Sequence, residues 1–175
     1  GTGNDIYFVE GQNDLIFENP GEGIDVVGTA SSLYLYANVE NLALYTTGIS
    51  PMDDLDLFGV GNELNNVITG NGGDNLLLGG LGNDELTGIG GNDALFGEDG
   101  NDLLTGGSGI DYLVGGIGND TLEGNSGADA LYGGDGDDIL RADAGPVGDP
   151  YAGAGVGSYY PPDFVTDILV GGAGN

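Results

Sequence analysis

A nine-residue period governs the middle of this chain. Residues 61–141 divide without insertion into nine blocks of nine, and each block begins with glycine. Position four is also glycine except at Leu64, position six is always Asp or Asn, and position eight is always Leu or Ile. Because four columns agree over nine blocks, the sequence contains a true internal repeat, and a repeat of this kind indicates a solenoid.

The period excludes helices and predicts short strands. Nine residues match neither the 3.6-residue turn nor the heptad, and each interior glycine costs a helix about 1 kcal/mol. Each block instead predicts six turn residues and a three-residue strand, in which the side chain at position eight points inward. One block alone cannot bury that side chain. We therefore predict an all-β fold, a parallel β-roll or β-solenoid with two nonapeptides (18 residues) per coil.

The composition limits the chemistry of the chain. It has 29 Asp and Glu residues and one basic residue, Arg141, which gives a formal net charge of -28. Nucleic-acid and phospholipid-headgroup sites need a basic patch, so neither class of partner is expected. The sequence has no His and no Cys, which excludes imidazole ligands, thiolate chemistry and disulfides. Nor does it contain an apolar run of the roughly 20 residues that a membrane helix needs.

The column of acids at position six predicts a bound cation. Stacked coils would place these carboxylates in rows about 4.8 Å apart, where like charges repel strongly in a partly desolvated turn. One buried aliphatic side chain per block is too little to offset the entropy of ordering nine residues. Carboxylate and carbonyl oxygens favour Ca²⁺ or Mg²⁺, and irregular oxygen sets that include main-chain carbonyls favour Ca²⁺.

Four blocks carry a resemblance to a known family. Blocks 79–87, 106–114, 115–123 and 133–141 are similar to the GGxGxDxUx nonapeptide of RTX, or haemolysin-type, calcium-binding proteins. The resemblance implies a β-roll in which each Ca²⁺ lies between loop n and loop n+2 on the same edge. Loop n would supply its Asp and the carbonyls of positions two and four. Loop n+2 would supply its Asp and the carbonyls of positions one and three.

The resemblance also implies which residues bind the ions, of which about five to seven are expected. One site would comprise Gly80, Gly82, Asp84, Gly97, Asp99 and Asp102. The next, on the opposite edge, would comprise Ile89, Gly91, Asp93, Gly106, Ser108 and Asp111. Further sites would pair Asp102 with Asp120, Asp111 with Asp129, and Asp120 with Asp138. The other expected ligands in these loops are Glu98, Gly100, Gly107, Gly109, Gly115, Gly116, Ile117, Gly118, Gly124, Ser126, Gly133 and Asp135.

Two departures from the motif affect these expectations. Asn66 and Asn75 replace Asp in the first two blocks, so their sites lose a charge and are predicted to be weak or empty. Position two is occupied by Ile89, Glu98 and Asn125 instead of glycine. These side chains are expected to strain their turns while leaving their carbonyls available.

The flanking segments are less regular. Residues 1–60 are predicted to be an irregular β-rich N-terminal part of the same solenoid, with strands in the alternating stretches 33–36 and 41–44. Residues 142–162 contain four of the six prolines and predict a loop between coils or, alternatively, an exposed tyrosine-bearing contact with a sugar or partner. The repeat resumes in 163–175. Because the sequence begins and ends inside motifs, we expect it to be part of a longer protein.

The resemblance implies a calcium-binding module of a secreted or cell-surface bacterial protein. Such a module passes through a type I secretion channel and folds on binding Ca²⁺ outside the cell. The alternatives are a structural or adhesive element of an extracellular fibre, surface layer or adhesin, and a non-catalytic module appended to an extracellular enzyme. No catalytic residues are expected in this chain. The expected partners are calcium ions, without nucleic acid or membrane insertion, and self-association and polysaccharide contact stay open.

Overall fold

Strands are the regular elements of this protein. The computed structural model describes residues 1–11, 13–45 and 55–142 and the strand at 168–170. Within these residues, no helix is long and apolar enough to cross a membrane. The strands are β1 (Ile6–Val9), β2 (Val26–Thr29), β3 (Leu33–Tyr34), β4 (Asn41–Leu44), β5 (Phe58–Val60), β6 (Val67–Thr69), β7 (Leu76–Leu81), β8 (Glu85–Gly90), β9 (Ala94–Asp99), β10 (Leu103–Ser108), β11 (Tyr112–Ile117), β12 (Thr121–Ser126), β13 (Ala130–Asp135), β14 (Ile139–Arg141) and β15 (Ile168–Val170).

The strands form two parallel sheets. The first has the order β1-β2-β4-β6-β8-β10-β12-β14, and the second has the order β15-β13-β11-β9-β7-β5-β3. From β2 onward, successive strands alternate between the two sheets, so the chain winds as a solenoid. The predicted all-β parallel β-roll is therefore confirmed.

The register fixes the length of a coil in the array. Leu104 pairs with Leu86 on one side and Leu122 on the other, which gives 18 residues per coil in the first sheet. In the second sheet Leu113 pairs with Leu95 and Leu131 in the same way. The position-eight side chains of both sheets are fully buried from Ile68 to Leu131. They form a thin aliphatic core of two rows, as predicted.

The array strands are longer than the three residues predicted. From β7 to β13 each strand has six residues, because pairing between coils continues through the first three positions of the next block. In β7 the inward positions are Leu77 and Gly79, both buried. The prediction assigned all glycines to turns, whereas the position-one glycine is the second inward-facing residue of a strand.

The N-terminal coils share the same sheets but vary in length. Ile6 pairs with Val26, Val26 with Asn41, and Asn41 with Val67, so the number of residues per coil changes at each step. The predicted strand at 41–44 is present as β4, whereas only the first two residues of the 33–36 stretch form a strand.

The C-terminal predictions fall mostly outside the described residues. The predicted loop at 142–162 lies outside the described residues except for Ala142. The resumed repeat at 163–175 also lies outside them except for β15. Strand β15 pairs with β13 in the register of the array, with Leu169 opposite Leu131.

Candidate metal centres

The position-six aspartates form two buried rows, one along each edge of the solenoid. Each Asp directly precedes a strand, so 18-residue coils place successive aspartates above one another. Six of them are at most 3% exposed, namely Asp84, Asp93, Asp102, Asp111, Asp120 and Asp129. Buried carboxylates of this kind require a partner for their charge.

One oxygen of each carboxylate is used in a ladder of hydrogen bonds. The backbone N–H of Asp84 donates to Oδ1 of Asp102 at 2.8 Å, and the N–H of Asp102 donates to Oδ1 of Asp120 at 2.8 Å. On the other edge, the N–H of Asp93 donates to Oδ1 of Asp111 at 2.8 Å. The ladder joins residues 18 apart and so fixes each carboxylate against the neighbouring coil.

The second oxygen has no donor. In the described part of the chain, buried Oδ2 atoms that accept no hydrogen bond belong to Asp84, Asp93, Asp102, Asp111, Asp120 and Asp138. A buried carboxylate oxygen without a partner is costly to leave unsatisfied. Since the protein offers no donor at these atoms and brings main-chain carbonyl oxygens near them, the site fits a hard cation such as Ca²⁺.

Burial changes the protonation of these carboxyls. Burial is the largest cause of a pKa raised to about 6 for Asp84 and Asp102 and to about 7 for Asp93, and the neighbouring acid of the row acts in the same direction. The N–H bond to Oδ1 acts in the opposite direction. Burial also raises the pKa of Asp111 and Asp120. Without metal, the carboxyls of these rows therefore keep their protons at pH values well above the one at which an exposed Asp loses its proton.

The glycine at position one keeps the space beside each carboxylate open. A Cβ at Gly79 would overlap Oδ2 of Asp84 and lie 2.7 Å from the carbonyl oxygen of Gly97, one coil later. At Gly88 the corresponding atoms are Oδ2 of Asp93 and the carbonyl oxygen of Gly106. The Asp of loop n and the position-one carbonyl of loop n+2 thus both lie against this glycine, where no Cβ would fit.

Carbonyls of the other expected ligand positions lie in the same stacked loops. A Cβ at Gly100 would overlap the carbonyl oxygen of Gly82 in the preceding coil, and one at Gly107 would overlap that of Ile89. The carbonyl of Asp99 accepts the N–H of Gly82 at 2.9 Å and keeps a second lone pair.

Three acids among the expected ligands lie outside the buried rows. The residues Glu98, Asp99 and Asp135 are exposed, and the row of buried carboxylates belongs to position six. Their expected contribution is therefore a carbonyl oxygen, as the resemblance implies.

Three turns carry the backbone strain expected at position two. Ile89, Glu98 and Asn125 have φ of 86°, 76° and 70°, which is the left-handed region that disfavours side chains with a Cβ. Their loops keep the same stacking as loops with glycine at this position, since Gly107 pairs with both Ile89 and Asn125.

The two asparagines of the first blocks are satisfied without a cation. Oδ1 of Asn66 accepts the N–H of Asn62 at 2.8 Å, and its Nδ2 donates to the carbonyl of Glu40 at 2.9 Å. Oδ1 of Asn75 accepts the N–H of Asn71 at 2.7 Å, and its Nδ2 donates to Oδ1 of Asn71 at 3.1 Å. This arrangement is consistent with the weak or empty sites predicted there.

Position five carries a second ladder that was not predicted from the sequence. The N–H of Asn83 donates to Oδ1 of Asn65 at 2.8 Å, and the N–H of Asn101 donates to Oδ1 of Asn83 at 2.7 Å. The signal was present as Asn or Asp at position five in seven of the nine blocks.

A group of acids near the N-terminus was also missed. One carboxylate oxygen from each of Asp5, Glu18 and Asp25 lies within 4.8 Å of the others. Glu18 occupies no repeat position, so no periodic signal pointed to it.

Comparisons with known proteins place the array in a family. The sequence profile of the RTX calcium-binding nonapeptide repeat matches residues 60–95, 86–113 and 114–146, in four copies. An endo-1,3-1,4-beta-glycanase of Rhizobium meliloti (strain 1021) is 37% identical over 73 residues, which is 42% of this chain. The aligned part is 14% of that curated relative. No solved structure matches the chain.

The profile matches the residues whose loops carry the buried aspartate rows, and the β-solenoid that they form is a structural rather than a catalytic fold. The repeat region of this chain, residues 60–146, therefore belongs to the RTX calcium-binding nonapeptide repeat family.

Proposed function

We propose that the array is a module that folds when Ca²⁺ binds in its turns, outside the cell, as part of a secreted or cell-surface bacterial protein. The observation that carries the proposal is the row of buried Oδ2 atoms without hydrogen-bond donors. A cation with a preference for oxygen would satisfy these atoms and balance the charge of each row.

The ligands proposed for each ion come from two stacked loops. Asp84 and Asp102 with the carbonyls of Gly80, Gly82, Gly97 and Asp99 would hold one ion. Asp93 and Asp111 with the carbonyls of Ile89, Gly91, Gly106 and Ser108 would hold the next. The same pattern extends to Asp138, and an interior Asp such as Asp102 would serve two ions. About five to seven ions would bind in all.

Binding and folding are coupled in this proposal. The ligand oxygens come from residues 18 apart, so a site exists only after two coils have stacked. The binding free energy of each ion therefore contributes to folding. With a net charge of -28, the metal-free chain also resists compaction.

Secretion fits this coupling. A chain that stays unfolded where free Ca²⁺ is scarce can cross a type I secretion channel and then fold where Ca²⁺ is abundant. The family of the repeats and the partial similarity to a glycanase support an extracellular location.

Far-UV circular dichroism of the chain tests the proposal. In chelator we expect little β signal, and on adding Ca²⁺ a cooperative gain. Mg²⁺ should be much less effective, because it prefers six ligands in near-octahedral geometry and keeps several waters. Equal spectra in chelator and in Ca²⁺ would refute the proposal.

A second candidate is a non-catalytic module attached to an extracellular enzyme. The observation that favours it is the similarity to part of an endo-1,3-1,4-beta-glycanase. In this case any catalytic domain would lie outside the chain. Incubating the Ca²⁺-loaded chain with a mixed-linkage β-glucan should release no reducing sugar, and hydrolysis by the chain alone would overturn the assignment.

A further inference from the structure

The outer faces of the two sheets differ in chemistry. In each strand of the array, the side chains at positions seven and nine point away from the core, because position eight between them points inward. On the first sheet these positions mix aliphatic, polar and charged side chains, such as Glu85 and the ion pair between Glu123 and Arg141. On the second sheet, from β5 to β13, every such position is aliphatic or aromatic. This apolar strip is uncharged in a chain whose net charge is -28.

Three aromatic rings form a continuous row on the apolar strip. The ring centroids of Phe96 and Tyr112 are 5.9 Å apart, and those of Tyr112 and Tyr132 are 5.3 Å apart. The residues lie on the neighbouring strands β9, β11 and β13, so the row follows the axis of the solenoid from coil to coil. Ala94 and Ala130 are the register partners of Tyr112, so small side chains stand on both sides of it. Tyr112 is 42% exposed.

The two tyrosines of the row keep a polar end. Within the described residues, the hydroxyls of Tyr112 and Tyr132 form no hydrogen bond, whereas that of Tyr36 donates to the carbonyl of Asp14 at 2.6 Å. A surface with apolar ring faces and free hydroxyls fits a ligand that is apolar on its flat side and polar at its edge. A sugar ring with equatorial hydroxyl groups has this shape, because its axial C–H bonds form two apolar faces.

Charge restricts the ligand to a neutral one. The strands of the strip continue into turns in which Glu98, Asp99 and Asp135 are exposed. The one basic side chain of the sequence, Arg141, belongs to β14 in the first sheet. An acidic polysaccharide would therefore be repelled at the strip and would find no basic side chain there to pair with.

The size of the strip argues against a second copy of the chain as the partner. Between β5 and β13 the strip is about 19 Å long and about 7 Å wide, from a strand spacing of about 4.8 Å and a rise of about 3.3 Å per residue. With side chains added this is on the order of 200 Å², whereas a stable protein interface buries about 800 Å² per partner. A larger contact between two copies would bring their acidic turns together. A long and narrow strip fits one extended polymer chain.

We propose that the aromatic row of Phe96, Tyr112 and Tyr132 binds a neutral polysaccharide, with the chain of sugars lying along the axis of the solenoid. The axial C–H bonds of each sugar ring meet the negative face of an aromatic ring. The sugar hydroxyls exchange hydrogen bonds with the tyrosine hydroxyls. The ligand class is a linear β-linked glucan, whose hydroxyls are equatorial. This activity is separate from the proposed folding on Ca²⁺ and needs only the folded array.

Isothermal titration calorimetry in saturating Ca²⁺ tests the proposal with cellohexaose, a neutral β-linked glucan. Cellouronic acid of the same length is the matched acidic ligand. Tyr112→Leu keeps an apolar side chain and removes the ring. Tyr45→Leu is the matched control, because Tyr45 is 39% exposed and follows β4 of the first sheet, away from the row.

We expect the original chain and Tyr45→Leu to bind cellohexaose equally and Tyr112→Leu to bind it about tenfold more weakly. Cellouronic acid should bind more weakly than cellohexaose to all three. Absence of cellohexaose binding by the original chain would overturn the proposal. An equal loss in both variants, or equal binding of the acidic ligand, would overturn it as well.

Two further measurements separate the alternatives. Circular dichroism in Ca²⁺ is recorded first for each protein, so that a failure of the chain to fold, which bears on the calcium proposal, is distinguished from a loss of stacking. Should Tyr112→Leu not fold, Phe96→Leu takes its place with the same expectation. Sedimentation velocity should show a monomer. A dimer that Tyr112→Leu dissociates would assign the row to contact between copies and would overturn the proposal.

Discussion

The first two blocks of the array, residues 61–78, and the seven that follow, residues 79–141, build the same coil with different turn chemistry. Ile68 pairs with Leu86 and Leu77 with Leu95, so the register continues unchanged across the boundary. The first two blocks have Asn at position six, and the other seven have Asp.

The difference lies in how one side chain is satisfied. The amide groups of Asn66 and Asn75 find donors and acceptors within the protein. Aspartates such as Asp84 and Asp102 accept one N–H at Oδ1 and leave Oδ2 buried and without a donor. The topology of a coil therefore does not by itself require a cation. The requirement begins with the aspartate rows, whose first member is Asp84.

The largest expected effect comes from replacing an aspartate of the array with asparagine, the residue at position six of the first two blocks. Asp102→Asn keeps Oδ1 for the N–H of Asp84 but removes a charge from two proposed ion sites. At Ca²⁺ a hundredfold above Kd, each lost ion lowers the free energy of unfolding by about 3 kcal/mol. Chemical denaturation in saturating Ca²⁺ measures this loss.

In chelator, where little of the chain is expected to be folded, the same substitution should instead raise the residual β signal in circular dichroism, because it removes a buried charge that has no partner. Asp99→Asn is the matched control, since Asp99 is exposed and offers its carbonyl rather than its side chain. A lower stability of Asp102→Asn in Ca²⁺ together with a lower β signal in chelator would contradict the role given to its charge.

The reverse exchange should make the first blocks depend on calcium. The double variant Asn66→Asp, Asn75→Asp loses two amide donors and gains buried charges, which should lower the residual β signal in chelator. In Ca²⁺ the loss should be recovered together with a higher ion count by equilibrium dialysis. An unchanged ion count would show that other features of these loops prevent binding.

Acid should partly replace calcium in the aspartate rows. Burial raises the pKa of Asp93 from 3.8 to about 7 and that of Asp84 and Asp102 to about 6. The folded metal-free chain thus binds more protons than the unfolded one between these values, so this contribution to stability is complete below pH 3.8 and is lost as the pH rises through 6 to 7.

Circular dichroism in chelator should therefore show more β structure at mildly acidic than at alkaline pH. In saturating Ca²⁺ the trend should reverse, because protons compete with the metal for the same oxygens. A β signal in chelator that grows as the pH rises would contradict the raised pKa values.

The smallest expected effect concerns the strained turns at position two, where the strain arises from a Cβ atom at positive φ and does not depend on charge. Ile89→Gly removes the Cβ at a φ of 86° and should stabilise the Ca²⁺-loaded protein by about 1 kcal/mol. Gly107→Ala places a Cβ at the equivalent position of the next coil, where it would overlap the carbonyl of Ile89, and should destabilise it. Thermal unfolding measures both, and equal effects of the two variants would remove strain as the explanation.

Much of the fold was predictable because the same nine-residue pattern occurs in nine consecutive blocks. Position eight predicted the buried rows from Ile68 to Leu131, and the period of nine predicted the 18-residue coil. The column at position six predicted which carboxylates would align. These features depend only on side-chain alternation and on the stacking of identical units.

The remaining features depend on contacts that the periodic sequence pattern does not predict. The second inward position of each strand was missed because Gly79 and its equivalents have no side chain, and their inward face became evident only through the oxygen of Asp84 beside them. Glu18 was missed because an irregular connection brings it to Asp5 and Asp25. The side-chain amide of Asn66 donates a hydrogen bond to the carbonyl of Glu40, which lies 26 residues away in the sequence.

Anomalous scattering from crystals grown in Ca²⁺ tests the central claim most directly. Peaks should lie between Asp84 and Asp102, between Asp102 and Asp120, and between Asp93 and Asp111, each within about 2.3–2.6 Å of the Oδ2 atoms that lack donors. The turns of Asn66 and Asn75 should show weaker peaks or none. Well-ordered aspartate rows without a peak between their coils would contradict the account.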